Sequence, residues 1–397
     1  MSGKFRNSWI AWRENLNTKL NKYNPVPKTE DMTVPVGIDD EGKLWCENDP
    51  DKDIPYIKFS SPKPFTLKTS TGGKIWTPIT ALVEYSYDKE TWTNWGGSLI
   101  NSGPKNVLYL RGSNATTFGM GTSTSSTHRR LVLDGENIKL SGDIEGILSH
   151  GSRIDGEFPN VSNGTFKYLF EDNLALTNIY DLRFERETLP TSYMASMFRN
   201  DKNLTIPPRV IKAKECGERS LEYAFCNSGV TTTPLFEVER IGLHGMEGTF
   251  RDCFELLTAK PFGRIRYGNY AMSAIFYGCS KLKRAPEIGF PLTVGGYIFE
   301  YMFQKCSSLE TLYTFEWKNI GAGSFRYMYA ECPLIKIYSS APTGVESSEY
   351  MIPMQGGGTP GTDAFKNMFT GTGGSFTGTP SGNTLYYTTN ELIVMGE

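Results

Sequence analysis

Residues that could carry out chemistry are few in this 397-residue chain, and they stand apart from one another. Its three histidines, His128, His150 and His244, are isolated in sequence and show no metal-ligand spacing. The sequence contains no phosphate-binding loop, dinucleotide-binding turn, nucleophile elbow or zinc-protease motif. These observations favour a protein that is not an enzyme and that needs no cofactor and no metal.

Neighbouring carboxylates are the remaining candidates for catalysis. Glu171 precedes Asp172, and Glu185 lies two residues before Glu187. Glycoside hydrolysis uses a pair of carboxyl groups at a defined separation, one as the acid and the other as the base or nucleophile. The sequence supplies no separation, so we interpret these residues as solvated charge. A carbohydrate-cleaving protein stays open as an alternative.

A repeated aromatic position organises the second half of the chain. It closes a short apolar triplet, and its successive occurrences are 28, 27, 25, 26, 27 and 26 residues apart. Such regular spacing predicts a stack of repeats of leucine-rich-repeat length. Equivalent residues of adjacent repeats would then lie about 4.8 Å apart and form one buried column. The seven aromatic anchors are Phe170, Phe198, Phe225, Phe250, Phe276, Phe303 and Tyr329.

Two further positions recur in phase with the anchors. One position is a cysteine and the other a leucine, and we predict that each forms a buried column. We also predict that the cysteine thiols are reduced. Disulfides between neighbouring repeats and a metal site are the alternatives. In the third unit Cys226 directly follows the anchor and Thr231 stands at the leucine position, which predicts a shortened turn. Cysteine stands three residues after four anchors, at Cys253, Cys279, Cys306 and Cys332. Leucine stands six residues after the anchor at Leu256, Leu282 and Leu309.

The repeat Tyr301 to Leu312 resembles the unit of BspA-type leucine-rich-repeat proteins, which occur on bacterial surfaces and in bacteriophage tails. The resemblance covers residues 145–390. The segment Phe365 to Tyr387 is similar to the terminal unit of that family, with Thr372 in place of cysteine. The resemblance implies a leucine-rich-repeat solenoid that binds another macromolecule.

Residues 5–23 carry apolar side chains three or four positions apart, which predicts a short amphipathic helix. Its apolar stripe would pack on the same chain or dock onto a neighbouring subunit of an assembly. The stripe consists of Trp9, Trp12, Leu16 and Leu20.

Residues 32–45 place two short apolar runs around an acidic, glycine-containing turn, which predicts a β-hairpin. The segment from Pro35 to Trp45 resembles a sequence near the N-terminus of many bacteriophage tail and tail-fibre proteins. This resemblance implies that the N-terminal residues, Trp45 included, anchor the protein to a virus particle.

Residues 54–145 alternate short apolar runs with glycine, asparagine, aspartate and proline, which predicts a small β-sandwich. The predicted fold is therefore mainly β, a small β-sandwich followed by a leucine-rich-repeat solenoid, with a short N-terminal amphipathic helix. The predicted segments are an anchor over 1–53, the β-sandwich-like domain over 54–145, the solenoid over 146–345 and a terminal repeat with cap over 346–397.

Charge and hydropathy exclude two common classes of partner. With 41 basic and 43 acidic residues the formal charge is −2, so nucleic acid is not expected as a ligand. No apolar run approaches the roughly 18 residues of a membrane-spanning helix, and the N-terminus lacks the apolar core of a secretion signal. Membrane insertion is therefore not expected.

Together with the resemblances, these features predict a non-enzymatic tail or tail-fibre protein located in a bacteriophage virion. Its N-terminus would contact other virion proteins. Its repeats would bind a host-surface glycan or protein, or a neighbouring virion protein. The alternatives are a bacterial cell-surface leucine-rich-repeat adhesin and a purely structural tail component. Homo-oligomerisation is left open.

Overall fold

A computed structural model provides the fold, and the chain divides into two compact units, residues 1–52 and 53–397. The predicted helix over 5–23, with Trp9, Trp12, Leu16 and Leu20, lies outside the residues that the structure describes. Those described residues are 36–38, 44–46, 56–71, 83–112, 129–149, 158–289, 293–314, 319–344, 359–382 and 384–393.

The first unit contains two described strands, β1 (Val36–Ile38) and β2 (Leu44–Cys46). They pair antiparallel, with Val36 opposite Cys46 and Ile38 opposite Leu44. The predicted hairpin is confirmed, and the backbone of Trp45 lies in β2.

The first part of the second unit folds into antiparallel sheets. One sheet has the order β10-β3-β8-β5-β6 and the other β7-β4-β9. Phe59 of the first sheet and Leu67 of the second are buried in the same core. The strands are β3 (Ile57–Ser60), β4 (Thr66–Thr71), β5 (Val83–Ser86), β6 (Thr93–Asn94), β7 (Ile100–Asn101), β8 (Val107–Gly112), β9 (Arg129–Asp134) and β10 (Ile138–Asp143).

From residue 176 onward the strands pair in parallel. β10 pairs antiparallel with β3 and parallel with β11 and β12. Through β10, twelve of the described strands form one sheet that joins the antiparallel part to the parallel part. The next strands are β11 (Leu176–Asn178), β12 (Leu182–Leu189), β13 (Val210–Cys216), β14 (Leu235–Ile241), β15 (Phe262–Arg264), β16 (Arg266–Tyr267) and β17 (Ile288–Gly289).

The remaining strands form three separate parallel pairs, β18 with β20, β19 with β23 and β21 with β22. The described residues thus form strands and no α-helix, and the prediction of a mainly β protein is confirmed. These last strands are β18 (Thr293–Val294), β19 (Thr311–Tyr313), β20 (Asn319–Ile320), β21 (Lys336–Ile337), β22 (Gly373–Gly374) and β23 (Glu391–Ile393).

Each anchor lies in a nine-residue run of turns that forms a second parallel ladder. Alternate backbone N–H groups donate to the next run, as Phe198 does to Ala224 O at 2.8 Å. The intervening N–H groups close turns within their own run, as Met197 does to Met194 O at 3.0 Å. We call these runs the turn segments. They are residues 164–172, 192–200, 219–227, 244–252, 270–278, 297–305, 323–331 and 363–371.

A period of four residues decides which side chains of a turn segment face the core. The anchor and the residue four before it are buried, as Phe198 and Met194 are, and so are the residues directly before each of them, Met197 and Tyr193. The positions six before, two before and two after the anchor have positive φ, at 55°, 54° and 65° for Ser192, Ser196 and Asn200. The regular left-handed positions turn the chain so that the buried positions stay on one side.

A buried ion pair joins the end of β10 to the repeats. Glu145, in a 3-10 turn (Ile144–Ile147), accepts a hydrogen bond from Arg186 of β12 at 2.8 Å and another from the Tyr193 hydroxyl. Burial raises the pKa of Glu145, against the lowering effect of Arg186. The repeats and the preceding strands therefore share both a sheet and a core.

Candidate functional site

The aromatic anchors form one continuous buried column. Neighbouring rings from Phe170 to Tyr329 stack with centroids 5.3 to 5.9 Å apart. The column then continues to Phe369 of the predicted terminal unit, 6.0 Å from Tyr329. These residues are structural, because none of their rings is accessible to a partner.

The cysteine and leucine positions are also buried, and the cysteines have a definite role. The thiol of Cys253 donates to the carbonyl oxygen of the preceding anchor, Phe225, at 3.0 Å, and Cys279 does the same to Phe250 at 3.1 Å. Cys306 and Cys332 continue the pattern with Phe276 and Phe303, each at 3.0 Å. The six cysteines whose side chains the structure describes are free thiols. Leu256, Leu282 and Leu309 are fully buried.

The third unit is shortened in the loop after its anchor. Val230, five residues after Phe225, is fully buried in place of the leucine, whereas Thr231 is partly exposed. Our assignment of Thr231 to the leucine position is therefore wrong, because the loop has one residue fewer. Ser228 occupies the cysteine position and lies 3.5 Å from the Cys253 sulfur.

Outside the core, the turn segments present a surface rich in tyrosine, which we call the turn face. His244, Tyr270 and Tyr297 stack at centroid distances of 4.6 and 4.7 Å. Tyr301 and Tyr327 form a second row at 5.2 Å. Because the rings cover one another's faces, their edges are what a partner would meet.

Most of these tyrosines have a backbone conformation that is rare for a bulky residue. The φ angles of Tyr270 and Tyr297 are 57° and 58°, in the left-handed region that glycine and asparagine prefer. The Tyr297 ring also lies over Gly323, where an added Cβ would be 2.3 Å from Tyr297 Cδ1. Every turn segment has this conformation at the same positions, so it belongs to the backbone geometry of the repeat, and the tyrosines occupy positions that the backbone already fixes.

Charges on the turn face are partly buried and held in pairs. Glu300 pairs with Arg326, whose guanidinium also lies 5.3 Å from the ring centroid of Tyr297. Burial raises the pKa of Glu300, and Arg326 opposes that effect. Such ion pairs fix the positions of the groups that surround the tyrosine rows.

A second surface, which we call the sheet face, consists of the exposed side chains of β12, β13 and β14. Lys212 pairs with Glu185 at 2.7 Å and stands in register with Glu237 on its other side. Lys214 and Glu187 pair at 2.7 Å and are two-thirds exposed. The sheet face is thus a set of solvated lysine and glutamate rows.

The other residues considered for chemistry are placed as follows. Glu171 is buried between Arg130 and Arg199, so our interpretation of it as solvated charge is wrong. Arg130 also pairs with Asp172 at 2.5 Å. His244 belongs to the first tyrosine row and contacts Glu247. His128 and His150 lie outside the described residues.

Within the part of the chain that the structure describes, no three His, Cys, Asp or Glu side chains are grouped as a metal site would require. The same residues include no helix of the length and apolarity needed to span a membrane. Comparison with protein-family models, with curated proteins and with solved structures finds no match to this chain.

Sequence reasoning did not identify the tyrosine rows. Their signal is present, because His244, Tyr270 and Tyr297 are spaced by about one repeat, like the anchors. The anchor column was easier to recognise because its residues share one chemical type in nearly every unit.

Proposed function

We propose that residues 146–397 form a leucine-rich-repeat solenoid in a bacteriophage tail or tail-fibre protein, and that this solenoid binds a macromolecule. Three observations support the solenoid: the parallel strands β12 to β15, the parallel turn segments and the continuous anchor column. The two antiparallel sheets with a shared core support a β-sandwich over 54–145. The proposed partner is a host-surface receptor or a neighbouring virion protein.

The composition of the turn face carries the binding proposal. Tyrosine and arginine are enriched among the residues that dominate binding energy, whereas lysine and glutamate are depleted in interfaces. The turn face has the first composition, and the sheet face has the second. A stiff surface with regularly spaced tyrosines suits a partner that makes many modest contacts.

The test measures binding of the full-length protein to intact candidate host bacteria and to purified tail proteins. Tyr270→Asn and Tyr297→Asn are combined, because asparagine tolerates the left-handed backbone and removes the ring. The matched control combines Glu185→Gln and Lys212→Gln on the sheet face. We expect saturable binding that falls about tenfold or more in the tyrosine variant and stays unchanged in the control.

Binding to tail proteins alone would assign the repeats a structural role in the particle. Equal binding by the parent and the tyrosine variant would contradict the turn face as the site.

The anchor role of residues 1–53 is tested separately. We expect that deleting residues 1–52 abolishes incorporation into virus particles while the second unit, residues 53–397, keeps its unfolding transition. Normal incorporation of the truncated protein would exclude the anchor. A protein recovered on the surface of bacterial cells without virus would favour the adhesin alternative.

A further inference from the structure

A groove of about 1010 Å³ lies between the first sheet and the loops of the first two repeats. One wall comes from the end of β3, the turn before β10 and β10 itself, including Glu136 and Lys139. The other comes from the loops after Phe170 and Phe198, including Lys202 and Thr205. Its volume is at the upper end of the range for small-molecule sites, so it has room for more than one ring of a chain-like ligand.

The groove carries uncompensated positive charge. Lys139 and Lys202 are exposed, and neither forms an ion pair with any residue that the structure describes. The lining carboxylate, Glu136, is already held by Lys63 at 2.5 Å. An anionic group in the groove would therefore meet two ammonium groups that pair with no described carboxylate.

Neutral polar groups and apolar side chains complete the lining. Asn178 uses its side-chain oxygen to accept from Tyr180 N at 2.8 Å, which leaves its amide N–H groups for a ligand. Asn203 donates to Leu174 O at 2.7 Å, which leaves its oxygen as an acceptor. Leu174 and Ile206 are 57% and 41% exposed, and they offer apolar contacts beside these polar groups.

This chemistry differs from that of the turn face. Among the described residues that line the groove there is no aromatic side chain and no arginine. Single-stranded nucleic acids are usually held by aromatic stacking, and protein interfaces are usually anchored by aromatic residues and arginine. A sugar chain can use the amide groups of Asn178 and Asn203 for its hydroxyls, with the aliphatic side chains of Leu174 and Ile206 against its C–H faces in place of the aromatic rings that often stack there.

We propose that this groove binds an anionic glycan, with Lys139 and Lys202 contacting its carboxylate or phosphate groups and Asn178 and Asn203 its hydroxyls. The site is separate from the turn face and holds whether or not the chain belongs to a virion.

The experiment measures binding of the full-length protein to three labelled polysaccharides at low salt. Polygalacturonate supplies carboxylates, phosphorylated dextran supplies phosphates, and unmodified dextran is neutral. We expect saturable binding to at least one anionic polymer and none to dextran, and the two anionic arms distinguish carboxylate from phosphate. Binding to neither anionic polymer, or equal binding to dextran, would overturn the proposal.

Variants locate the site. Lys139→Gln with Lys202→Gln should weaken binding about tenfold or more. Lys105→Gln with Lys283→Gln removes the same charge from exposed positions elsewhere and should change affinity less than about twofold. Ile206→Glu places a carboxylate at the groove and should also weaken binding.

Thermal unfolding of each variant shows whether it is folded. Parent-like binding by the folded lysine variant would place the ligand elsewhere, and loss of binding in the tyrosine variant alone would assign it to the turn face.

Discussion

The turn face and the sheet face are built by the same repeats, yet they use charge in different ways. On the sheet face Glu185 and Lys212 are each about half exposed. On the turn side Glu171 is 1% exposed and contacts both Arg130 and Arg199. Exposed pairs contribute little to stability, whereas removing one partner of a buried pair leaves an uncompensated charge. The exposed pairs of the sheet face should therefore tolerate substitution, and the buried pairs of the turn segments should not.

The two sides also differ in backbone conformation. The strands β12 to β14 have ordinary extended backbone, so the residue types there are restricted mainly by solubility and strand register. The turn segments need a left-handed residue at every fourth position, as at Tyr223 and Tyr327. Their sequence is therefore restricted by the backbone before any partner is considered.

The largest difference is expected for the buried carboxylate. Glu171→Ala should lower the free energy of unfolding by about 3 kcal/mol, because Arg130 and Arg199 lose their shared acceptor. This is the low end for a broken buried pair, because Asp172 still contacts Arg130. Glu185→Ala on the sheet face should lower it by about 0.5 kcal/mol or less. Urea unfolding measures both, and equal effects would mean that the two sides are not distinct.

Substituting two glycines tests the effect of backbone conformation on stability, because neither substitution changes the charge. Gly323 has a φ of 59° and lies under the Tyr297 ring, whereas Gly263 in β15 has no atom within 4 Å of an added Cβ. Gly323→Ala should destabilise the protein by about 2 kcal/mol. Gly263→Ala should be neutral or stabilising by up to about 1 kcal/mol. Thermal unfolding of the pair tests this, and a destabilising Gly263→Ala would show that the sheet side is also conformationally restricted.

A buried acid directly after a turn segment makes the stability of the protein depend on pH. Asp201 stands at the cysteine position of the second unit, and burial raises its pKa well above the usual value. One side-chain oxygen accepts from Asn173 N at 2.7 Å, and the other is buried without a hydrogen-bond partner. Because the pKa of Asp201 is higher in the folded state than in the unfolded state, the stability that the neutral acid contributes is fully present below about pH 4. It is lost as the pH rises through the folded-state pKa.

Asp201→Asn keeps the site neutral at every pH. We expect it to raise the free energy of unfolding at pH 7 by about 1–2 kcal/mol and to make stability less dependent on pH. Urea unfolding at pH 4, 5.5 and 7 measures both effects. If the variant is less stable than the parent at pH 7, Asp201 is charged and has a partner there.

The core could be predicted from sequence because each column repeats one type of side chain. Phe250 and Cys279 recur in phase with their equivalents, and burial follows from that regularity. The turn segments could not be predicted, because the left-handed positions are filled by tyrosine, serine, asparagine and arginine alike. The groove was also beyond sequence reasoning, because Lys139 and Lys202 are 63 residues apart and only the fold brings both into its lining.

The smallest expected effect lies in the charge rows of the sheet face. Lys212 separates Glu185 from Glu237 across three strands. Lys212→Glu would place three carboxylates side by side and should cost about 1 kcal/mol at low salt, because like charges directly opposite each other repel. Lys212→Gln removes the attraction without adding repulsion and should cost about half as much.

Salt distinguishes this effect from a structural one. These side chains are about half exposed, so 1 M salt should screen most of the difference between the two variants. Urea unfolding at low and high salt makes the measurement. A loss of stability that persists at 1 M salt would indicate that Lys212 stabilises the strand register by packing. The sheet face would then restrict its side chains, as the turn segments do.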